Sequence, residues 1–327
     1  MGGELGQLRL SRAIQELLRC PVCGSGLELL GSQLRCSNAP CAAVFPVTSG
    51  VPVLINEASS IFSIADIVHR RKTFFPPSRH GKVWPSLKGL VPDISRNVRS
   101  RRNYTKFARL LLDRSASPKV LVLGGGVLGQ GVETFLQHSP TIEVIETDVS
   151  FGPRTMLICD AHDIPFRDAT FDGVIVQAVL EHVVDPYRCV DEIHRALKKD
   201  GLVYAEAAFM QQVHGGPYDF TRFTHLGLRR LFRKFEELDS GAVCGPGMAL
   251  AWAYQYFLLS FAESRSARTL ITLLSRLTSF YLKYFDYYLV HRKPALDAAS
   301  GYYFMGRKTS RTLPDAELMA LHRGAVS

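Results

Sequence analysis

From Val120 onward, short apolar runs alternate with stretches in which apolar residues recur every three or four positions. The runs read as buried strands and the spaced stretches as amphipathic helices, and their alternation predicts parallel strands joined by crossover helices. Strands are predicted at Val120–Leu123, Ile142–Ile145, Met156–Cys159, Gly173–Val176, Leu202–Ala207, Phe235–Ala242 and Tyr302–Met305. The first is followed by glycines and a helix with Val132, Phe135 and Leu136 on one face. The clearest helix opens at Asp185 with Pro186 in first position and buries Val190, Ile193 and Leu197. Lys198 and Lys199 are predicted in its last turn, with Gly201 as terminator. Another starts at the cap Thr224 and buries Leu228, Leu231, Phe232 and Phe235.

Before Lys119 the pattern differs. Short apolar runs separated by Gly and Pro, including Phe45-Pro-Val and Gly50-Val-Pro-Val-Leu-Ile55, predict a small β-rich unit. Prolines 76, 77, 85 and 92 then limit helices until Asn103 to Leu112. Between the last two strands lies an apolar insertion, Met248–Ala262 and Leu270–Val290. Its first part is short of the ~20 apolar residues of a membrane span and its second is charged, so a helical hairpin is expected. It serves either as a cover over the core or as a lid or membrane-surface platform for a lipid-linked substrate.

Charge changes the picture in one place. The formal net charge is +9, but from His69 to Arg114 thirteen Lys or Arg face only Asp93 and Asp113, a local excess of +11. Such a block is either a solvated connector or an attractor of nucleic acid, anionic lipid or a phosphorylated substrate. The N-terminal Met1–Leu18 stretch carries Glu4 and Glu16 and has no continuous apolar region, so no signal peptide is read and a cytoplasmic location is expected, peripheral at the membrane if residues 248–290 touch lipid.

Two constellations carry chemistry. In Val120-Leu-Val-Leu-Gly124-Gly125-Gly126-Val-Leu-Gly129 a buried strand ends in glycines that open a helix, a turn that lets a ligand approach the backbone. Asp148, at the end of the second strand, is placed to accept ribose hydroxyls, with Glu146 as the alternative carboxylate. Cys20, Cys23, Cys36 and Cys41 form two close pairs able to complete a tetrahedral zinc site of the closed, structural kind; two disulfides are the competing arrangement. Cys159, Cys189 and Cys244 are scattered.

The glycine loop and Asp148, with Asp160-Ala-His162-Asp-Ile-Pro165-Phe, Phe171-Asp172 and Val179-Leu-Glu181-His182-Val, resemble the class I S-adenosylmethionine-dependent methyltransferases over about Lys119 to Phe235. The resemblance implies a Rossmann-like, mostly parallel seven-stranded sheet flanked by helices. It implies S-adenosylmethionine as cofactor, with Gly124, Gly125, Gly126 and Gly129 at the methionine end, Asp148 on the ribose, and Asp160 and Ala161 on the adenine. Val122 stands where many relatives have an acidic residue, and the loop has one extra residue before Gly129, which leaves the methionine amino group to backbone carbonyls or Gln177. The cysteine unit is similar to the zinc-ribbon activator subunit of tRNA and release-factor methyltransferases, here fused to its enzyme. Fusion implies a role in stability or substrate docking. The expected organisation is a zinc-ribbon domain at 1–55, a basic linker and helical cover at 56–117, a methyltransferase domain at 118–308 with its insertion at 248–290, and a polar tail at 309–327.

The acceptor side is read from loops at the carboxyl ends of the strands. His182 follows the fourth strand and His214-Gly-Gly-Pro-Tyr218-Asp219-Phe-Thr-Arg222 the fifth. Imidazole titrates near neutral pH, so His214 or His182 suits a hydroxyl acceptor as base; each is otherwise a structural hydrogen-bonder. Tyr218, Asp219 and Arg222 are candidates for substrate hydroxyls, though Asp219 and Arg222 can equally pair with each other. The Asn-Pro-Pro-Tyr type of element, which enzymes acting on exocyclic amino groups usually carry after the fourth strand, is missing, and Asp185-Pro186-Tyr187 starts a helix instead. O-methylation of a small molecule or a glycan or glycolipid hydroxyl is therefore expected. An RNA methyltransferase gripping phosphates through ribbon and basic segment, with Phe74, Phe75, Trp84 and Tyr104, is the second reading. A noncatalytic interaction protein is the third.

Overall fold

The computed structural model describes residues 8–69, 91–138 and 141–325. Most of the amino-terminal half of the basic block, with Phe74, Phe75 and Trp84, lies outside the described residues, as do residues 1–7.

The alternating text after Lys119 folds as predicted in kind. The strands are β5 (Lys119–Leu123), β6 (Glu143–Asp148), β7 (Leu157–Cys159), β8 (Phe171–Gln177), β9 (Leu197–Ala208), β10 (Phe235–Cys244) and β11 (Gly301–Lys308). They lie in the order β7-β6-β5-β8-β9-β11-β10, with β11 antiparallel to both neighbours and the pairs from β7 to β9 all parallel. The order reverses between β5 and β8, and ligands of open α/β sheets bind at the carboxyl ends of strands at such a switch point.

The sheet does not stop at seven strands. Four more, β1 (Leu27–Leu30), β2 (Gln33–Cys36), β3 (Val44–Thr48) and β4 (Val51–Leu54), extend it to eleven, because β4 pairs in parallel with β7 at Val53↔Ile158 and Leu54↔Cys159. The expected seven-stranded sheet is corrected accordingly. The reason is physical: β7 is a three-residue strand that would otherwise be an unpaired edge, and every residue of β4 is buried. Further main-chain bonds, Arg19 N–H to the Pro165 carbonyl at 3.0 Å and Arg167 N–H to that of Leu17 at 2.9 Å, join the cysteine-bearing unit to the large sheet.

Two apolar layers cover the sheet. On one face Leu8, Leu10, Ile14 and Leu18 share a cluster with Phe166, Phe171 and residues of α5 (Pro186–Ala196) and α6 (His225–Leu231). On the other, Tyr104, Phe107 and Leu111 of α3 (Ser100–Leu112) pack with Phe135 of α4 (Val132–His138) and Tyr204. Two short helices precede these, α1 (Arg12–Gln15) and α2 (Ile64–Val68).

Helix α5 starts as predicted, with the Asp185 carboxylate accepting the Arg188 N–H at 3.1 Å, but it ends early. Lys198, Lys199 and Gly201 belong to β9, not to a last helical turn. Leu197 turns extended to pair with Phe171, and the Lys198 ammonium reaches Asp172 at 2.9 Å, so sheet pairing overrides helix propensity here. The insertion contains three main helices rather than a hairpin: α7 (Pro246–Leu259), α8 (Arg265–Ser279) and α9 (Leu282–Leu289), followed by the short α10 (Ala295–Ala298). Asp286 of α9, wholly buried, accepts the N–H groups of Gly245, Gly247 and Met248 at 3.1, 2.7 and 2.9 Å. A carboxylate from one helix thus satisfies the orphan donors at the start of another. The polar tail is docked: α11 (Asp315–Met319) buries Leu318, and Arg323 reaches Glu237 at 2.8 Å.

Candidate active site

Two adjoining cavities of about 90 and 380 Å³ open at the carboxyl ends of β5, β6 and β8, sharing Leu123, Gly124 and Ala178. The smaller is lined by Asp148, Asp160, Ala161 and His182; the larger by Gly129, Gln177, Glu181, Glu206 and His214. Strand ends supply these groups because a parallel strand exhausts its ladder there and the chain must turn.

Gly124 makes the first turn with φ +74°, and any β-carbon there would press on Val179. The loop is locked onto β6: Gly125 N–H donates to the Thr147 carbonyl at 2.8 Å and Gly126 N–H to the Asp148 carboxylate at 3.0 Å. Burial pushes the Asp148 carboxyl up, opposed by the N–H groups of Gly126 and Ser150. Asp148 rather than Glu146 faces the smaller cavity; Glu146 pairs with Arg154 at 2.7 Å and borders the larger one.

Asp160 accepts Ser60 and His162 Nδ1, each at 2.5 Å. Burial disfavours its charge, but these bonds win and hold the carboxyl below its ordinary range. His162 Nε2 in turn accepts the Asp185 N–H at 3.0 Å, so that ring is a brace between two loops.

On the side of the larger cavity Gln177 donates to Glu206 at 2.8 Å and to the Gln130 carbonyl at 3.0 Å, while its Oε1 is buried with no hydrogen-bond partner. The fully buried Glu206 also accepts Ser100, Tyr204 and Asn97 at 2.6, 2.5 and 2.7 Å; burial pushes its carboxyl up. Sequence reasoning missed Glu206. Its signal was a lone carboxylate in the apolar run Leu202–Ala208.

After β8, Ala178 adopts φ +53°, an unfavourable conformation for a side chain with a β-carbon, and the chain then presents Glu181 and His182. Burial pushes the Glu181 carboxyl up to about 7, and its Oε2 has no hydrogen-bond partner. His182 Nδ1 donates to the Tyr218 carbonyl at 2.8 Å, and burial lowers this imidazole. The loop carrying His214 passes so close that a β-carbon on Gly215 would sit 2.6 Å from His182 Nδ1. The two imidazoles meet edge to face, centroids 4.8 Å apart, and His214 meets Trp252 of α7 likewise at 5.8 Å. His214 Nδ1 donates to the Gln212 carbonyl at 3.0 Å.

Asp219 and Arg222 pair with each other through both carboxylate oxygens. Despite burial, Arg222 and the N–H groups of His214 and Gly215 hold the Asp219 carboxyl well below its usual range. The pair shapes the His214 loop, and Tyr218 stacks on Phe62 at 5.8 Å. Glu181 went unremarked as a site residue in the sequence because a carboxylate next to a histidine has no distinctive spacing.

Away from the cavities, the sulfurs of Cys20, Cys23, Cys36 and Cys41 all lie within 4.8 Å of one another, and none is in a disulfide. Two of these separations, Cys23 to Cys36 at 3.4 Å and Cys20 to Cys41 at 3.9 Å, bracket the separation of about 3.8 Å that four zinc–sulfur bonds of about 2.3 Å would give in a tetrahedron. The donor set fits zinc.

The strand order, with cavities at its switch point, defines a Rossmann-like α/β protein. Residues 128–205 match the family described as a methyltransferase domain. The chain is 24% identical over 118 residues to a ubiquinone/menaquinone biosynthesis C-methyltransferase of Citrifermentans bemidjiense, covering 31% of this chain and 50% of that protein. The chain thus spans half the length of this curated relative. Among solved structures it resembles phosphoethanolamine N-methyltransferase 2 of Haemonchus contortus (15% identity, 63% of this chain and 53% of that one, TM-score 0.39). It also resembles a chain of the Haloferax volcanii complex containing the Trm112 methyltransferase activator (19% identity, 64% and 91%, TM-score 0.36). Superpositions this loose add nothing to the strand order.

Proposed function

We propose that this protein is an S-adenosylmethionine-dependent methyltransferase acting on a hydroxyl of a small molecule, glycan or glycolipid, with a structural zinc ribbon at Cys20, Cys23, Cys36 and Cys41. The observation that carries it is the Gly124–Gly129 loop, locked by its N–H groups onto the end of β6 and opening the cavities within and beside the matched methyltransferase segment. When bound, the cofactor supplies an activated methyl group on a sulfonium. Asp148 holds the ribose, the Asp160–Ala161 turn borders the adenine, and Gln177 and the glycine backbone face the methionine end. Positioning of the acceptor then does most of the work. His182 and His214 handle the acceptor hydroxyl, within a loop shaped by Tyr218, Asp219 and Arg222.

The RNA alternative is weakened by the described part of the basic block. Lys106 pairs with Asp239 at 2.6 Å and Arg114 with the Asp200 carbonyl at 2.6 Å, so these two cations serve the fold. Among the described residues no helix is long and apolar enough to cross a membrane. The insertion nevertheless exposes Phe257, Phe261, Leu270, Leu274, Phe285 and Tyr288 beside the exposed Arg265, Arg268, Arg292 and Lys293. That mixture fits peripheral contact with an anionic lipid surface and favours a glycolipid acceptor.

Calorimetry with S-adenosylmethionine and S-adenosylhomocysteine tests the reading. The wild type should bind in the micromolar range, and Asp148→Ala and Gly126→Arg should each lose at least tenfold. A well-folded wild type that binds neither compound leaves a zinc-bearing interaction protein as the better account.

A further inference from the structure

We propose that Glu181, His182 and His214 form a binding site for a divalent transition-metal ion that holds the acceptor oxygen beside the cofactor cavity. This rests on the methyltransferase reading for its purpose, but not for its chemistry. Among the described residues only two groups of side chains have metal-ligand spacing: the four cysteines, and these three, whose ligand atoms all lie within 4.8 Å of one another.

Three further observations point to an ion. Glu181 is 1% exposed and its Oε2 has no hydrogen-bond partner, whereas buried carboxylates are otherwise satisfied or neutralised. The nearby cation that would serve, Arg222, is committed to Asp219. Both histidines donate Nδ1–H to a main-chain carbonyl, His182 to Tyr218 and His214 to Gln212. That bond fixes the tautomer with its lone pair on Nε2 and orients the ring, as the outer partners of metal-bound histidines do. The Cβ-free Gly215 allows the two loops to close to this distance.

Two imidazoles and one carboxylate favour Mn²⁺, Fe²⁺, Co²⁺ or Zn²⁺ over Mg²⁺ or Ca²⁺, and three protein ligands leave positions open. The three residues border both cavities, His182 lining one and Glu181 and His214 the other, so an ion they hold would lie within reach of a bound acceptor. An acceptor with two adjacent hydroxyls, such as a sugar diol, suits an ion with more than one open position. In the transfer, the acceptor O–CH₃ bond forms as the S–CH₃ bond breaks, and the hydroxyl proton leaves to solvent, a loss that a neighbouring cation eases.

The test uses the full chain with zinc retained in the ribbon, titrated with Mn²⁺ and read by electron paramagnetic resonance. One Mn²⁺ per chain is expected, weakened at least tenfold in His214→Ala and in Glu181→Gln, with S-adenosylhomocysteine binding kept in both. His214→Ala decides if Glu181→Gln fails to fold, because His214 is exposed. No Mn²⁺ bound by the wild type, or binding undiminished in His214→Ala, overturns the proposal and leaves the histidines as hydrogen-bonders or a metal-free base. Mn²⁺ binding without S-adenosylhomocysteine binding would sink the methyltransferase reading and keep the metal site; the reverse would do the opposite.

Discussion

Among the described residues two clusters have metal-ligand spacing, and they differ in every physical respect that matters. The cysteines are four identical soft ligands contributed by one small unit within 22 residues of chain, and neither cavity touches them. The Glu181, His182 and His214 group mixes ligand types, joins two loops after different strands, and lies on cavity walls. A closed set of four thiolates saturates its ion and does structural work, whereas three ligands beside a cavity leave room for a reactant. The difference teaches that ligand number and exposure, more than proximity, separate a metal that holds a fold from one that meets a substrate.

Breaking the first cluster should have the largest effect on stability. Structural zinc sites supply roughly 10 kcal/mol of binding free energy to folding. Cys36→Ser or prolonged chelation should therefore lower the melting temperature by more than any other change named here, measured by scanning calorimetry with zinc content followed in parallel. If zinc is lost and the melting curve does not move, the ribbon is not a structural element.

Next in size is Asp286→Ala, which strips the acceptor from three buried N–H groups at the start of α7. A loss of about 2 to 4 kcal/mol is expected in urea unfolding. Trp252 of α7 packs on His214, so acceptor turnover should fall as well, while S-adenosylhomocysteine binding is kept.

The smallest effect concerns a residue that belongs to neither cluster and lines neither cavity, and it serves as a control. His225 is pushed down to about 4, by burial first and then by Arg323; Arg229, Glu237, His322 and Ser240 also face it, and its ring abuts Tyr302. The unfolded chain takes up this proton near pH 6.5 and the folded one only near 4, so the unfolded state binds more protons between those values. Stability should fall as pH drops from about 6.5 to about 4. His225→Gln should flatten that slope in thermal melts at several pH values; an unchanged slope would assign it to other groups.

Much of this was legible in the sequence where the signal is local. The runs of β5 and β8, the Asp185 cap and the Thr224 cap each depend on neighbours within a few residues, and each stands where the pattern put it. The misses follow from distant partners. Lys198 and Lys199 read as a helical last turn until Phe171 and Asp172 drew that stretch into β9. The sheet grew to eleven strands because β7 offered an edge that β4, distant in the chain, covers.

The sequence by itself determined the cysteine quartet, the glycine loop and the alternation of strand and helix, because spacing along the chain encodes each of them. Only the tertiary structure decided that Asp219 would spend its charge on Arg222, and that Glu206 would anchor the start of α3 through Ser100 and Asn97. It alone brought His214 onto His182 beside a Glu181 whose Oε2 has no hydrogen-bond partner. Those contacts join segments that no local periodicity relates, and they exist because a folded sheet brings the ends of its strands together.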